Sequence, residues 1–166
     1  LEAPKETVMY AIKKAKEFGV QTILNPAPAA DMDKSIFSFI DYFTPNETEA
    51  SFYVNHPVET HDDASKAAST LLEMGIKNVI ITLGEKGAYF ANANETFSSP
   101  IANLSNPVVD TTGAGDAFNA GFAAALTENQ GIREAIAFAS ATAGLSTTKI
   151  GTAKSMPSRE EIDKIL

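Results

Sequence analysis

Asn78-Val79-Ile80-Ile81-Thr82-Leu83 is an almost continuous apolar run that ends on Gly84-Glu85-Lys86-Gly87. Such a run suits a strand buried on both faces, which is the habit of parallel sheets whose crossover helices cover each side. The rest of the chain supplies those helices. Val8, Ala11, Ile12, Ala15 and Phe18 recur at helical spacing between Pro4, suited to a first turn, and Gly19, a stop. A shorter helical pattern covers Lys34 to Ile40, and a longer one runs from Asp62 to Met74 and stops at Gly75. Between them, Val20 to Leu24 is β-prone and meets Asn25-Pro26-Ala27-Pro28, where the prolines forbid both helix and central strand. Tyr42-Phe43-Thr44 is a brief strand closed by Pro45-Asn46-Glu47. Further on, the pattern predicts a hairpin of Ala88–Ala91 and Glu95–Ser98 and a short strand at Val108-Val109. Helices at Ala114–Thr127 and Ile132–Thr147, a loop from Thr148 to Pro157 and a last helix from Ser158 complete it. Alternating strand and helix predicts an α/β fold with a doubly wound sheet and a late antiparallel edge, undivided by any linker.

Charge and composition narrow what this fold does. With 166 residues, 44% of them hydrophobic, the chain can bury a sizeable core. A net charge of −8 disfavours nucleic acid and anionic membranes as partners, so any affinity for phosphate has to be local. Without cysteine there is neither disulfide nor thiolate metal site, and a cytoplasmic location is the expectation. No apolar run approaches membrane-spanning length. The opening Leu1-Glu2-Ala3-Pro4 lacks an initiator Met and a glycine-rich first strand, from which we expect the later part of a longer protein.

Open parallel sheets bind ligands beyond the carboxyl ends of their strands, and the polar motifs fall there. Asp110-Thr111-Thr112-Gly113-Ala114-Gly115-Asp116 leads straight into an apolar helix. Its glycines free the backbone to present N–H groups to an anion, and Asp116 at the mouth suits a proton acceptor for an attacking hydroxyl. The same residue types also serve ordinary loop-to-helix junctions. Asn46 and Glu49 stand three apart at a helix start, a spacing that fits a capping box and equally a pair holding magnesium-bound water; spacing alone favours the cap. Thr82-Leu83-Gly84-Glu85-Lys86-Gly87 offers a hydroxyl, freed amides and a lysine for phosphate oxygens, or an ordinary glycine turn. Thr147 to Ser155 reads as a helix cap and connector, or as carbonyls caging a large monovalent cation beside Asp110. His56 and His61 lack a third ligand at zinc spacing and read as surface loop residues.

The segment Asp110–Asp116 resembles the C-terminal signature of the ribokinase-like carbohydrate kinases. Leu24-Asn25-Pro26-Ala27-Pro28-Ala29, Thr44-Pro45-Asn46-Glu47-Thr48-Glu49-Ala50 and Ile81-Thr82-Leu83-Gly84 are similar to the ribokinases of that family in order and spacing. The resemblance implies a three-layer, doubly wound, mostly parallel sheet and ATP-dependent phosphorylation of ribose at its 5-hydroxyl. By it, Asp116 is the base, and Gly113, Ala114 and Gly115 form an anion hole. Asn46, Thr82, Leu83, Gly84, Glu85, Lys86 and Gly87 match nucleotide contacts, as do Gly115 and Asp116, and Ser140 falls in the helix bordering the adenine. Glu49 matches a carboxylate acting through water on Mg²⁺. Asp110, Thr112, Ser146, Lys149, Gly151 and Ser155 match positions around an activating K⁺. Glu2 falls where the family has a sugar-contacting glutamate.

The family's N-terminal strands, its sugar-binding motif and its dimer-forming lid have no counterpart here. The resemblance therefore implies that residues 1–166 are a single C-terminal portion, weak or inactive alone, of a protein that dimerises through the missing lid. Two alternatives stand beside it: a fructokinase-like sugar kinase of the same family, and a non-catalytic nucleotide-binding module.

Overall fold

The computed structural model describes residues 1–166. Its sheet has five strands, β1 (Ile23–Leu24), β2 (Tyr42–Phe43), β3 (Asn78–Thr82), β4 (Ala88–Asn92) and β5 (Thr96–Ser99), in that spatial order. β1, β2 and β3 are parallel, and β4 turns antiparallel to β3 with Ile80 opposite Phe90. This is the expected α/β class with its antiparallel edge. The apolar run in β3 is buried on both faces: Val79 and Ile81 join one hydrophobic core, while Ile80 and Phe90 are equally enclosed on the other side.

By contact density the chain divides into Leu1–Gly84 with Ala88–Ser98, and Glu85–Gly87 with Ser99–Leu166. The first unit carries α1 (Lys5–Glu17), α2 (Glu47–Val54) and α3 (His61–Glu73). α3 starts on a reciprocal cap between Thr60 and Asp63 and buries Ala64, Ala67, Ala68 and Leu71, a stripe at helical period. The core beneath it centres on Phe37, Phe43 and Tyr53, whose rings meet at 5.3–6.1 Å. The Tyr53 hydroxyl escapes burial without a partner by donating to the Ala30 carbonyl at 2.9 Å.

The second unit holds α4 (Ala114–Thr127), α5 (Ile132–Ser146) and the short α6 (Arg159–Asp163). α4 and α5 approach closely because Gly121 has no side chain: a Cβ there would lie 2.6 Å from Thr142 Oγ1. Arg159 binds α6 down, stacking 4.9 Å over the Phe138 ring while pairing with Glu128 and Asp163.

Four segments depart from expectation. β1 begins only at Ile23, since an edge strand with one partner gains nothing from Val20, which stays 58% exposed. Lys34–Phe39 winds as a 3₁₀-helix, started by Asp33 accepting the Ser35 amide at 2.9 Å. Of the apolar positions assigned to α1 only Ile12 is buried, and Phe18 lies past the last helical residue with 78% of its surface exposed. Val108-Val109 forms no strand. The Val109 and Asp110 amides both donate to the Thr147 carbonyl, at 2.8 and 3.1 Å, so this segment is fastened to the end of α5 rather than to a ladder.

Candidate active site

In the second unit, the turn before α4 places the residues with chemistry. Gly113 is the helix N-cap at φ 77°, a left-handed conformation that side chains resist, and no side chain caps the helix. The first turn therefore keeps amides that no helical carbonyl accepts. The Ala114 amide folds back on Thr111 O at 3.1 Å, which leaves those of Gly115 and Asp116 for an incoming anion. Nothing lies within 4 Å of where a Gly115 Cβ would stand. Asp116, third residue of the helix, is exposed, and its Oδ2 lies 3.8 Å from the corresponding point on Gly113. A carboxylate, two unclaimed amides and open space thus share one helix end.

Asp110 fastens that turn. Its Oδ1 accepts the Thr112 amide at 2.9 Å and its Oδ2 accepts the Gly151 amide at 3.0 Å. Hydrogen bonds from Thr112, through side chain and amide, and from the Gly151 amide hold its carboxyl at about 2. Ser146 and Ser155 are buried, and their hydroxyls donate to the carbonyls of Ala143 and Thr152 at 2.7 and 2.6 Å. The Lys149 ammonium turns to Glu161 at 2.9 Å, so a ligand from residue 149 has to come from its backbone. The Ser158 amide and Lys149 together hold the Glu161 carboxyl at about 2. A carboxylate with neighbouring backbone carbonyls is the donor chemistry that a large monovalent cation takes, and no group of three or more carboxylate or imidazole side chains is present. Ser140 sits half-buried on α5.

In the first unit, Asn46 Oδ1 accepts the Glu49 amide at 2.8 Å and Glu49 Oε2 accepts the Asn46 amide at 2.9 Å, a complete capping box. Asn46 also bridges to Thr82, whose amide donates to Pro45 O at 3.0 Å, so the start of α2 is registered against the end of β3. Glu49 is buried to 7% exposure with one oxygen in the cap, a placement that suits an indirect, water-carried hold on magnesium better than direct ligation. Leu83 is buried in the core and Gly84 is exposed at φ 52°. Glu2 is exposed, one residue after the terminal amine that meets the Asn25 and Ala27 carbonyls. Of the remaining loop positions, Glu85 and Lys86 are exposed and Gly87 is buried at φ 86°.

Thr152 is the residue at this site that motif reading passes over. A Cβ added to Gly113 would stand 3.0 Å from the Thr152 γ-methyl and 3.3 Å from the Thr152 Cβ, closer than a side chain tolerates without a shift. The two are far apart in sequence, and a threonine after a loop glycine carries no signal of the contact.

A model of the pfkB family carbohydrate kinases matches residues 1–159. The ribokinase of Haemophilus influenzae is 43% identical over 161 residues, covering 97% of this chain and 52% of the relative. The deoxyribokinase of Salmonella typhimurium is 38% identical over 167 residues, covering 100% and 54%. Among solved structures, Thermotoga maritima ribokinase superposes with TM-score 0.87 at 39% identity, covering 99% of this chain and 54% of the other. Arabidopsis thaliana ribokinase, complexed with ribose and ATP, superposes with TM-score 0.90 at 34% identity, covering 98% and 52%. The chain spans about half the length of the curated relatives it matches.

Proposed function

The chain belongs to the pfkB family of carbohydrate kinases, and on that footing we propose that it carries the phosphoryl-transfer residues of a kinase acting from ATP on the 5-hydroxyl of ribose. The observation that carries the reading is the end of α4, where the Asp116 carboxylate stands beside unclaimed amides and open space. Asp116 takes the proton of the acceptor hydroxyl as that oxygen bonds to the γ-phosphorus and the bond from that phosphorus to the β,γ-bridging oxygen breaks, releasing ADP. The Gly115 and Asp116 amides, with Gly113 giving the turn its direction, stabilise negative charge on the transferred group. Ala114 contributes geometry, its amide being held by Thr111.

Asn46 and the Thr82–Gly87 segment are assigned to the nucleotide, Ser140 to its base, and Glu2 to the sugar. Glu49 holds magnesium through water, and the ion when bound neutralises phosphate charge. Asp110, Thr112, Ser146, Lys149, Gly151 and Ser155 are assigned to potassium, chiefly through backbone oxygens. We further infer that residues 1–166 correspond to the C-terminal portion of a cytoplasmic ribokinase that dimerises through a lid, and that this portion alone turns over ribose weakly or not at all. No helix is long and apolar enough to cross a membrane.

The test couples ADP release by the full gene product to ribose, 2-deoxyribose and fructose, with and without K⁺. Ribose is expected to give the highest kcat/KM, and Asp116→Asn to lower kcat by about 10²–10⁴-fold. An Asp116→Asn enzyme that keeps most of its activity removes Asp116 as the base, and equal rates with fructose remove the ribose assignment.

A further inference from the structure

The motif Leu24-Asn25-Pro26-Ala27-Pro28-Ala29 has no task in the phosphoryl-transfer reading, yet it opens the segment that leaves the carboxyl end of β1. That segment runs to the 3₁₀-helix at Lys34, and no backbone-to-backbone hydrogen bond reaches residues 28–32. Other groups hold it. From one side the amine of Leu1 meets the Asn25 and Ala27 carbonyls, and Lys5 Nζ donates to the Asp31 carbonyl at 2.9 Å. From the other side the Tyr53 hydroxyl, on α2, donates to the Ala30 carbonyl at 2.9 Å. Tyr53 is a rigid anchor. Its ring packs edge-on against the fully buried Phe37 and Phe43, with centroids 6.0 and 5.3 Å away, so the hydroxyl cannot swing aside without disturbing that core. Burial raises the phenol above its ordinary value and the Glu49 and Asp31 carboxylates add to the rise, which keeps it a protonated donor at neutral pH. It stands four residues after Glu49, on the same face of α2.

We propose that Tyr53 is a positioning residue: its hydroxyl holds the segment after β1 against α2, one turn from Glu49, and so keeps the first residues of the chain, Glu2 among them, in a fixed relation to that carboxylate. The consequence for catalysis rests on the kinase reading, in which Glu2 meets the sugar and Glu49 the magnesium, whereas the hold itself stands apart from that reading. Losing the hydroxyl frees the sugar side, because Leu1 is fastened to the same segment at Asn25 and Ala27. Glu49 stays in place, since its own tether is the reciprocal cap with Asn46. Sugar affinity therefore falls while nucleotide affinity does not.

Tyr53→Phe keeps the ring and its packing and deletes only the donor. In this chain, carbon-13 methyl relaxation is expected to show lower order at Ala29 and Ala30 in Tyr53→Phe than in wild type, with the methyls of Ala67 and Ala68 on α3 unchanged. Wild-type order at Ala29 and Ala30 overturns the hold. In the full gene product the same variant should raise KM for ribose about fivefold, the worth of one hydrogen bond, at unchanged KM for ATP. Replacing Tyr53 with 4-aminophenylalanine, which restores an N–H donor at that point, should bring the KM for ribose back. A wild-type KM for ribose in Tyr53→Phe overturns the link to the site, and so does a KM for ATP that rises in step with it. Failure of the kinase reading shows instead as an active Asp116→Asn enzyme and leaves the relaxation result standing.

Discussion

Two glycines of one motif should respond to alanine in opposite directions. Gly115 lies within α4, and nothing stands within 4 Å of the methyl that alanine would add. A helical glycine replaced by alanine gains about 0.5–1 kcal/mol from backbone entropy and helix propensity. For a chain of this size that corresponds to a rise of about 1–4 °C in Tm. Gly113, at φ 77°, faces the reverse: alanine there meets about 1–2 kcal/mol of left-handed strain. Part of that is offset by the roughly 0.4–1 kcal/mol that any Gly→Ala change removes from unfolded-chain entropy. The Thr152 methyl at 3.0 Å adds to the cost, so Gly113→Ala should lower Tm by about 2–4 °C. Thermal melts of this chain followed by far-ultraviolet circular dichroism give both signs. In the full gene product Gly115→Ala, although more stable, should lose about 10²-fold in kcat, since its methyl enters the space assigned to the phosphoryl group. A Gly115→Ala protein that melts below wild type refutes the geometry, and one that is fully active refutes the role given to that space.

Two further outcomes separate structural from chemical roles. Asp110 titrates at about 2 in the fold against 3.8 for the ordinary carboxyl, so its contribution to stability is complete above about pH 4 and is lost as pH falls toward 2. Asp110→Asn should therefore melt below wild type at pH 7, with the difference closing across that window; a difference constant with pH would discount the Thr112 and Gly151 bonds as its source. Asn46→Ala should cost about 1 kcal/mol through loss of the cap. Asn46→Asp keeps an acceptor for the Glu49 amide and should melt like wild type, yet weaken ADP binding about tenfold in calorimetric titration by setting a charge against phosphate. Equal ADP affinity would reduce Asn46 to a cap.

Much of this was legible from pattern because the pattern was local. The both-face burial of β3 follows from its continuous apolar run, the cap of α2 from residues three apart, and the start of α4 from its glycines. What was misread depended on partners that local pattern does not name. Val108 and Val109 have strand-forming side chains but no neighbouring ladder, only the Thr147 carbonyl at the end of α5. Phe18 continues the helical period of α1 past the point where the helix stops. At the site, Asp110 to Asp116, Asn46, Glu49 and Thr82 to Gly87 were singled out by type and spacing, and Glu2, Ser140 and Ser146 by resemblance alone, whereas the Gly151 tether to Asp110 and the closeness of Thr152 to the Cβ side of Gly113 exist only once the chain has folded.

The Phe37, Phe43 and Tyr53 cluster has an optical consequence. The chain contains no tryptophan and four tyrosines, Tyr10, Tyr42, Tyr53 and Tyr89, all of which belong to the first unit. Tyrosine emission therefore originates in the unit that holds Asn46 and Glu49 and not in the unit that holds Asp110 to Asp116. A tryptophan placed at Phe138, whose ring lies beneath Arg159 in the second unit, would give that half of the chain a colour of its own.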